Sequence, residues 1–225
     1  MCFRIWTKAY SDIKIGANFT FLRNCDLGSG QQIRTLSLDL NQVRSIEMDM
    51  RESPTNAVAI DFDLGRNSFV YSDNGRSLIR SVDLEKRNTT VLISDLVQTV
   101  DGLVVDSETG VFYWTDSGTK LISVSSIDTK RTRVLIWENL LSPRSITLNK
   151  KTSQIFWTDW GKRATIEKSN CDGSDRRVLV KSNLIWPNAL TIDTQNEKLV
   201  WADAATKRLE SANFDGTDRT ILSRL

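Results

Sequence analysis

Apolar and polar positions along this chain fall into short runs, and the runs return at a fixed interval. Four segments join an aromatic residue to an aspartate: Val70-Tyr71-Ser72-Asp73, Tyr113-Trp114-Thr115-Asp116, Phe156-Trp157-Thr158-Asp159 and Val200-Trp201-Ala202-Asp203. Their aspartates lie 43, 43 and 44 residues apart. A second landmark, read as Asp61, Asp106, Asn149 and Asp193, ends apolar runs at 58–60, 103–105, 145–148 and 189–192. Two landmarks that keep one period over four copies identify an internal repeat.

Each copy resolves into four β-like segments with turn residues between them. In the third copy they span 145–149, 154–159, 164–170 and 176–181. The last turn of that copy carries Asp172-Gly173, and the fourth copy repeats it as Asp215-Gly216, the pair a tight hairpin favours. Copies one and two carry Glu85-Lys86-Arg87 and Asp128-Thr129-Lys130 there, which predicts longer or differently built turns. The apolar runs are short and β-branched and lack the 3.6-residue spacing of a helix. Four antiparallel strands in about 43 residues make one blade of a β-propeller.

In that architecture both faces of a blade pack on neighbours, so Tyr71, Trp114, Trp157 and Trp201 are expected between blades. Asp73, Asp116, Asp159 and Asp203 are expected to tie backbone amides at one blade edge. These are structural parts, not ligand contacts. Upstream, 19–23, 32–39 and 43–48 read as the outer three strands of a partial blade, and residues 1–18 have no assigned structure. The expected fold is therefore all-β: a propeller over 19–225 with four full four-stranded blades, a partial N-terminal blade, and the last blade and closing strand lacking.

Composition narrows the chemistry. The 225 residues carry 30 basic and 28 acidic side chains, interspersed, for a formal charge of +2. No basic block points to nucleic acid, and no apolar run approaches the roughly 18–20 residues of a membrane helix. The first residues lack the apolar core of a signal peptide. Histidine is absent, which removes the commonest metal ligand and the usual base for a serine or cysteine nucleophile. No metal site, cofactor or catalytic residue is assigned. The periodic aspartates are repeated parts, whereas a catalytic carboxylate should break the repeat. Cys2, Cys25 and Cys171 are too few and scattered for a disulfide framework, and Cys171 falls where other copies hold Ile127 and Phe214. Asn18-Phe19-Thr20 and Asn88-Thr89-Thr90 are glycosylation sequons, usable only in a secretory setting.

Positions that break the repeat are the binding candidates. The residues read as preceding each inner strand, Asn56, Asp101, Arg144 and Asn188, are all polar yet differ from one another. Beside them Trp160 stands where other copies have Asn74, Ser117 and Ala204, and Trp186 stands where copy three has Ser142. Two tryptophans, an arginine and an amide on one face have the composition of an interface hot spot.

The quoted motifs resemble the YWTD, or class B, repeats of low-density lipoprotein receptor relatives. The likeness is strongest to first propellers of the Wnt co-receptor and agrin-receptor group. It is carried by 113–118, 134–144, 156–161, 185–188 and 201–204, and it implies a six-bladed ring. It also implies an extracellular, receptor-borne module that binds secreted proteins, with membrane attachment through parts outside this chain. In that group the corresponding face takes an Asn-x-Ile tripeptide, which would lie on Asp101, Arg144, Trp160, Trp186 and Asn188. Gly118 and the loop at 74–77 lack the acidic side chains of the co-receptors, which lowers the Wnt reading. The alternative is a matrix propeller of nidogen type that holds a permanent partner.

Overall fold

The computed structural model describes residues 54–224 with their side chains, together with the backbone of four strands upstream. These upstream strands, β1 (Arg4–Trp6), β2 (Asn18–Arg23), β3 (Gln32–Ser37) and β4 (Gln42–Ser45), form one antiparallel sheet in chain order. β1 pairs with β2 ahead of the three strands read from the sequence, within the first 18 residues to which that reading gave no structure. Cys2 and Cys25 lie outside the described residues.

Four further sheets repeat one plan, innermost strand first. The first holds β5 (Ala57–Asp63), β6 (Ser68–Asp73), β7 (Leu78–Asp83) and β8 (Thr89–Ile93). The second holds β9 (Val100–Asp106), β10 (Val111–Asp116), β11 (Leu121–Ser126) and β12 (Thr132–Ile136). The third holds β13 (Pro143–Asn149), β14 (Gln154–Asp159), β15 (Thr165–Asn170) and β16 (Arg177–Val180). The fourth holds β17 (Pro187–Asp193), β18 (Lys198–Asp203), β19 (Arg208–Asn213) and β20 (Thr220–Arg224). The innermost strands β5, β9, β13 and β17 lie side by side in that order, which is the packing of propeller blades.

Alternation along the second strand of each blade explains the repeat. Trp114 faces the blade before it and joins Val70, Ile79 and Leu103 in one core cluster, while its neighbour Tyr113 faces forward and joins Ile146 and Trp157 in the next. Trp201 does the same against Phe156 and Ile166. Tyr71, Trp114, Trp157 and Trp201 are all buried, as between-blade aromatics should be. On the last blade Leu222 is 52% exposed, whereas its counterparts Leu92 and Leu135 are buried under the following blade.

The turns follow the composition. Asn170 N–H donates to Ser174 O and Asn213 N–H to Thr217 O, closing three-residue loops on Gly173 and Gly216. Asp83 N–H donates to Asn88 O and Ser126 N–H to Arg131 O, closing loops one residue longer. Cys171 is half-buried against the core between the second and third of these blades, and burial pushes its thiol pKa up.

Register corrects two sequence alignments. Asp63, not Asp61, pairs at the end of its strand as Asp106, Asn149 and Asp193 do. Asp63 also accepts from the N–H two residues on, the turn bond that its three counterparts make. Asp61 instead accepts from Val105 N–H of the next blade at 2.7 Å. Apolar runs tolerate a two-residue slip because β alternation returns to the same face.

Candidate functional site

Each motif aspartate closes the blade edge where its innermost strand begins. Asp116 accepts from the N–H groups of Gln98, Thr99, Gly118 and Thr119 at 2.7–3.0 Å. Asp203 accepts from Ile185, Trp186, Ala205 and Thr206. Burial alone would raise the Asp203 pKa, but these four N–H bonds outweigh it and hold the carboxyl below its usual value. Asp159 receives only Leu141 and Ser142, its burial prevails, and its pKa is raised. The difference originates in the Trp160-Gly161 turn, which makes neither of the later N–H bonds.

At this same edge each innermost strand carries a β-bulge. The pairing skips from Val100 to Gly102, from Pro143 to Ile146, and from Pro187 to Ala189. Asp101, Arg144 and Asn188 are thus second residues of their strands, displaced from the ladder. A bulge re-aims a side chain, so the sequence at these points is free of the repeat's demands. The hydroxyl in the motif supports the irregularity: Thr158 accepts from Ser145 N–H at 3.1 Å, and Ser72 accepts from Ala59 N–H at 2.9 Å.

The same register removes Asn56 from the set. Asn56 O accepts from Asn74 N–H as Thr99, Ser142 and Trp186 accept in their own blades. Val58, an apolar residue, holds the bulge position of the first full blade. Asn56 is exposed on the same edge but at the position of Trp186, not of Asp101.

Asp101, Arg144, Trp160 and Trp186 form one connected row across three blades. Arg144 Nη1 donates to Asp101 Oδ1 at 2.9 Å, and the Ser117 hydroxyl donates to Asp101 Oδ2 at 2.5 Å. The Arg144 guanidinium carbon sits 3.8 Å from the centre of the Trp160 ring. Trp160 and Trp186 stack with centroids 6.2 Å apart and planes at 24°. Asp101 is buried, Arg144 and Trp160 are half-buried, and Trp186 is 51% exposed. Asn188 is exposed one strand over, beyond Pro187.

Trp160 and Trp186 differ in role. Trp160 Nε1 donates to Pro187 O at 3.1 Å, the bond that Asn74 Nδ2 makes to Val100 O two blades earlier. Trp160 is therefore partly a blade-to-blade strut. Trp186 has its backbone held on both sides, its N–H by Asp203 and its C=O by Ala204 N–H, while its ring, stacked on Trp160, leaves about half of the residue exposed. A fixed backbone that presents a partly exposed aromatic ring has little conformational entropy left to lose at that side chain.

Two residues absent from the sequence reading position this row. Arg219 donates to Glu210 at 2.7 Å and to the carbonyls of Ser182 and Asn183, pinning the loop that presents Trp186. Arg176 repeats the clamp with Glu167 and with the carbonyls of Glu138 and Asn139. Each guanidinium also lies over the buried motif tryptophan of its blade, at 5.4 Å from Trp201 and 5.7 Å from Trp157. The paired Glu and Arg, spaced nine residues apart in both copies, were the available signal.

Asn88 is exposed in the turn between β7 and β8, at the blade edge opposite this row. Asn18 opens β2, whose side chains lie outside the described residues. Among the described residues no group of His, Cys, Asp and Glu is suited to a metal ion, and no helix is long and apolar enough to cross a membrane.

Comparison with known proteins agrees with the repeat. Residues 110–148 and 153–194 match the low-density lipoprotein receptor repeat class B. Among solved structures, a nidogen/laminin complex has a chain 28% identical to this one, with a TM-score of 0.75 over 85% of this chain and 74% of that one. A TolB-type protein from Agrobacterium tumefaciens is 15% identical, with a TM-score of 0.72 over 91% and 76% of the two chains. A gluconolactonase from Xanthomonas campestris is 18% identical, with a TM-score of 0.63 over 75% and 63%. The last two share the propeller fold alone. Among curated proteins none matches.

Proposed function

We propose that this propeller is an extracellular module that binds secreted proteins through the edge carrying Asp101, Arg144, Trp160, Trp186 and Asn188. One observation carries the reading: the bulge residues Asp101 and Arg144 join Trp160 and Trp186 in one connected row that ends in an exposed, backbone-fixed tryptophan. Aromatic and arginine anchors of this kind dominate protein interfaces. No catalytic role is proposed. The motif carboxylates accept backbone N–H bonds, and Asp101 is occupied by Arg144 and Ser117. The finer reading is a receptor-borne propeller of the lipoprotein-receptor-related kind. Its ligand would present an Asn-x-Ile segment, with Asn188 offering amide donor and acceptor to the peptide asparagine. Asn18 and Asn88 would carry oligosaccharide in that setting.

The test is affinity for an Asn-x-Ile peptide. Trp186→Ala should cost about 2 kcal/mol or more of binding, and Asn188→Ala about 1–3 kcal/mol by stranding its amide partner, both with unchanged melting. Binding that ignores both substitutions would sink the site. The nidogen/laminin neighbour favours a second reading, a matrix propeller with a permanent partner. A laminin complex that survives gel filtration, beside no peptide binding, would select it.

A further inference from the structure

The turn that begins with Trp160 continues Gly161-Lys162-Arg163, and the neighbouring turn after Asp203 ends in Lys207. Lys162, Arg163 and Lys207 are all exposed, and none forms an ion pair among the described residues. Neither turn contains an acidic residue. Beside them lie three exposed apolar side chains, Leu141 at 48%, Ile185 at 51% and Trp186 at 51%. Leu141 lies over the glycine of the cationic turn: a Cβ on Gly161 would fall 2.6 Å from Leu141 Cδ1, and Gly161 holds a φ of +143°. The turn thus keeps Leu141 close to the Trp160–Trp186 stack and carries its two cations beside that apolar surface. The one exposed acid on the crossing loops of these two blades is Glu138, whose carbonyl is held by Arg176.

We infer that the partner segment held at this edge is an acidic peptide strand. It places an apolar side chain against Leu141, Ile185 and Trp186, and it sets Asp or Glu residues on Lys162, Arg163 and Lys207. The inference rests on the binding edge proposed above and adds the charge of what binds there. Three unpaired cations on two adjacent turns supply the complementary field, which governs partner choice and encounter rate more than raw affinity. A sulfated glycan would match the cations but would leave the apolar centre without a counterpart, so a peptide is the better fit.

The experiment is selection from a random 12-residue peptide display library on the full chain and on three variants: Trp186→Ala, the double charge reversal Lys162→Glu with Arg163→Glu, and Lys207→Glu. Peptides that depend on Trp186 should be enriched in Asp and Glu. Their affinity should fall roughly tenfold in the double reversal and weaken as salt rises from low to physiological strength. Circular dichroism melting of each variant should match the parent, because all four side chains are exposed. Trp186-dependent peptides of neutral or basic character, or acidic ones indifferent to the reversals, overturn the inference and leave the binding edge standing. Peptides indifferent to Trp186 overturn the edge as well. Heparin oligosaccharides that bind through Lys162 and Arg163 without Trp186 would assign the cations to a glycan and also overturn it.

Discussion

Gly102 is where fold and site can be disturbed by one methyl group. It follows the bulged Asp101 on β9, and a Cβ there would lie 2.2 Å from Arg144 O, 2.8 Å from Thr115 Oγ1 and 3.0 Å from Ile146 N. Two of these atoms are backbone of the next blade's innermost strand, which cannot rotate away. Relief requires β9 and β13 to part by about 1 Å. Overpacking of this type costs typically 1–3 kcal/mol. Here it also breaks the bond from the Thr115 hydroxyl to the Arg144 carbonyl, for about 1 kcal/mol more. Gly102→Ala should therefore lose roughly 2–4 kcal/mol, read as a lower urea midpoint at unchanged slope. Peptide affinity should fall with it, because the displaced residue is Arg144 itself. Gly65→Ala is the control: a Cβ there would meet nothing closer than 3.1 Å, so it should cost far less. A Gly102→Ala chain as stable as its parent would refute the close approach of the two strands.

Trp114→Ala empties a fully buried between-blade position and should cost about 3–5 kcal/mol in chemical denaturation; a loss below 1 kcal/mol would mean the blades do not interlock there. Asp73 and Asp203 have depressed pKa values, so their contribution is present above about 3.9 and is lost as pH falls through the folded values. Stability should drop on acidification below about pH 4, and Asp203→Asn should flatten that limb while lowering stability at pH 7. Asp159 has the opposite sign, its protonated form being favoured by the fold, so Asp159→Asn should cost less at pH 7 than Asp203→Asn. Expression in a secretory host should give a chain that loses mass on glycosidase treatment through Asn88; an unmodified Asn88 would count against an extracellular life.

The propeller was legible because its repeat is enforced by packing. A large aromatic that fills the space between two blades, followed two residues on by a carboxylate that accepts two to four backbone N–H groups, ties both positions to the period. The 43-residue spacing therefore survived in Tyr71, Trp114, Trp157 and Trp201. What misled the reading was the inner strand, whose apolar run offers no such landmark. Asp61 and Asp63, two residues apart, fall on the same face of β5, and only the pairing with Ser68 and the turn bond from Gly65 N–H show that Asp63 is the counterpart of Asp106. The slip then carried Asn56 into a set to which it does not belong.

The proposed binding edge stood out for a different reason, its departure from the repeat. Asp101, Arg144 and Asn188 were singled out because equivalent positions held unlike polar residues, yet the bulge that lifts all three out of the ladder has no mark in the sequence. The row they make was also out of reach. Nothing in composition says that Arg144 spans from Asp101 to the Trp160 ring, or that Trp160 spends its N–H on Pro187. That bond changes what each tryptophan can be asked to do. Removing Trp160 should weaken the junction between the last two blades and binding together, whereas removing Trp186 should touch binding alone. The pair, equal as sequence signals, separates into a strut and an anchor once the register of the innermost strands is known.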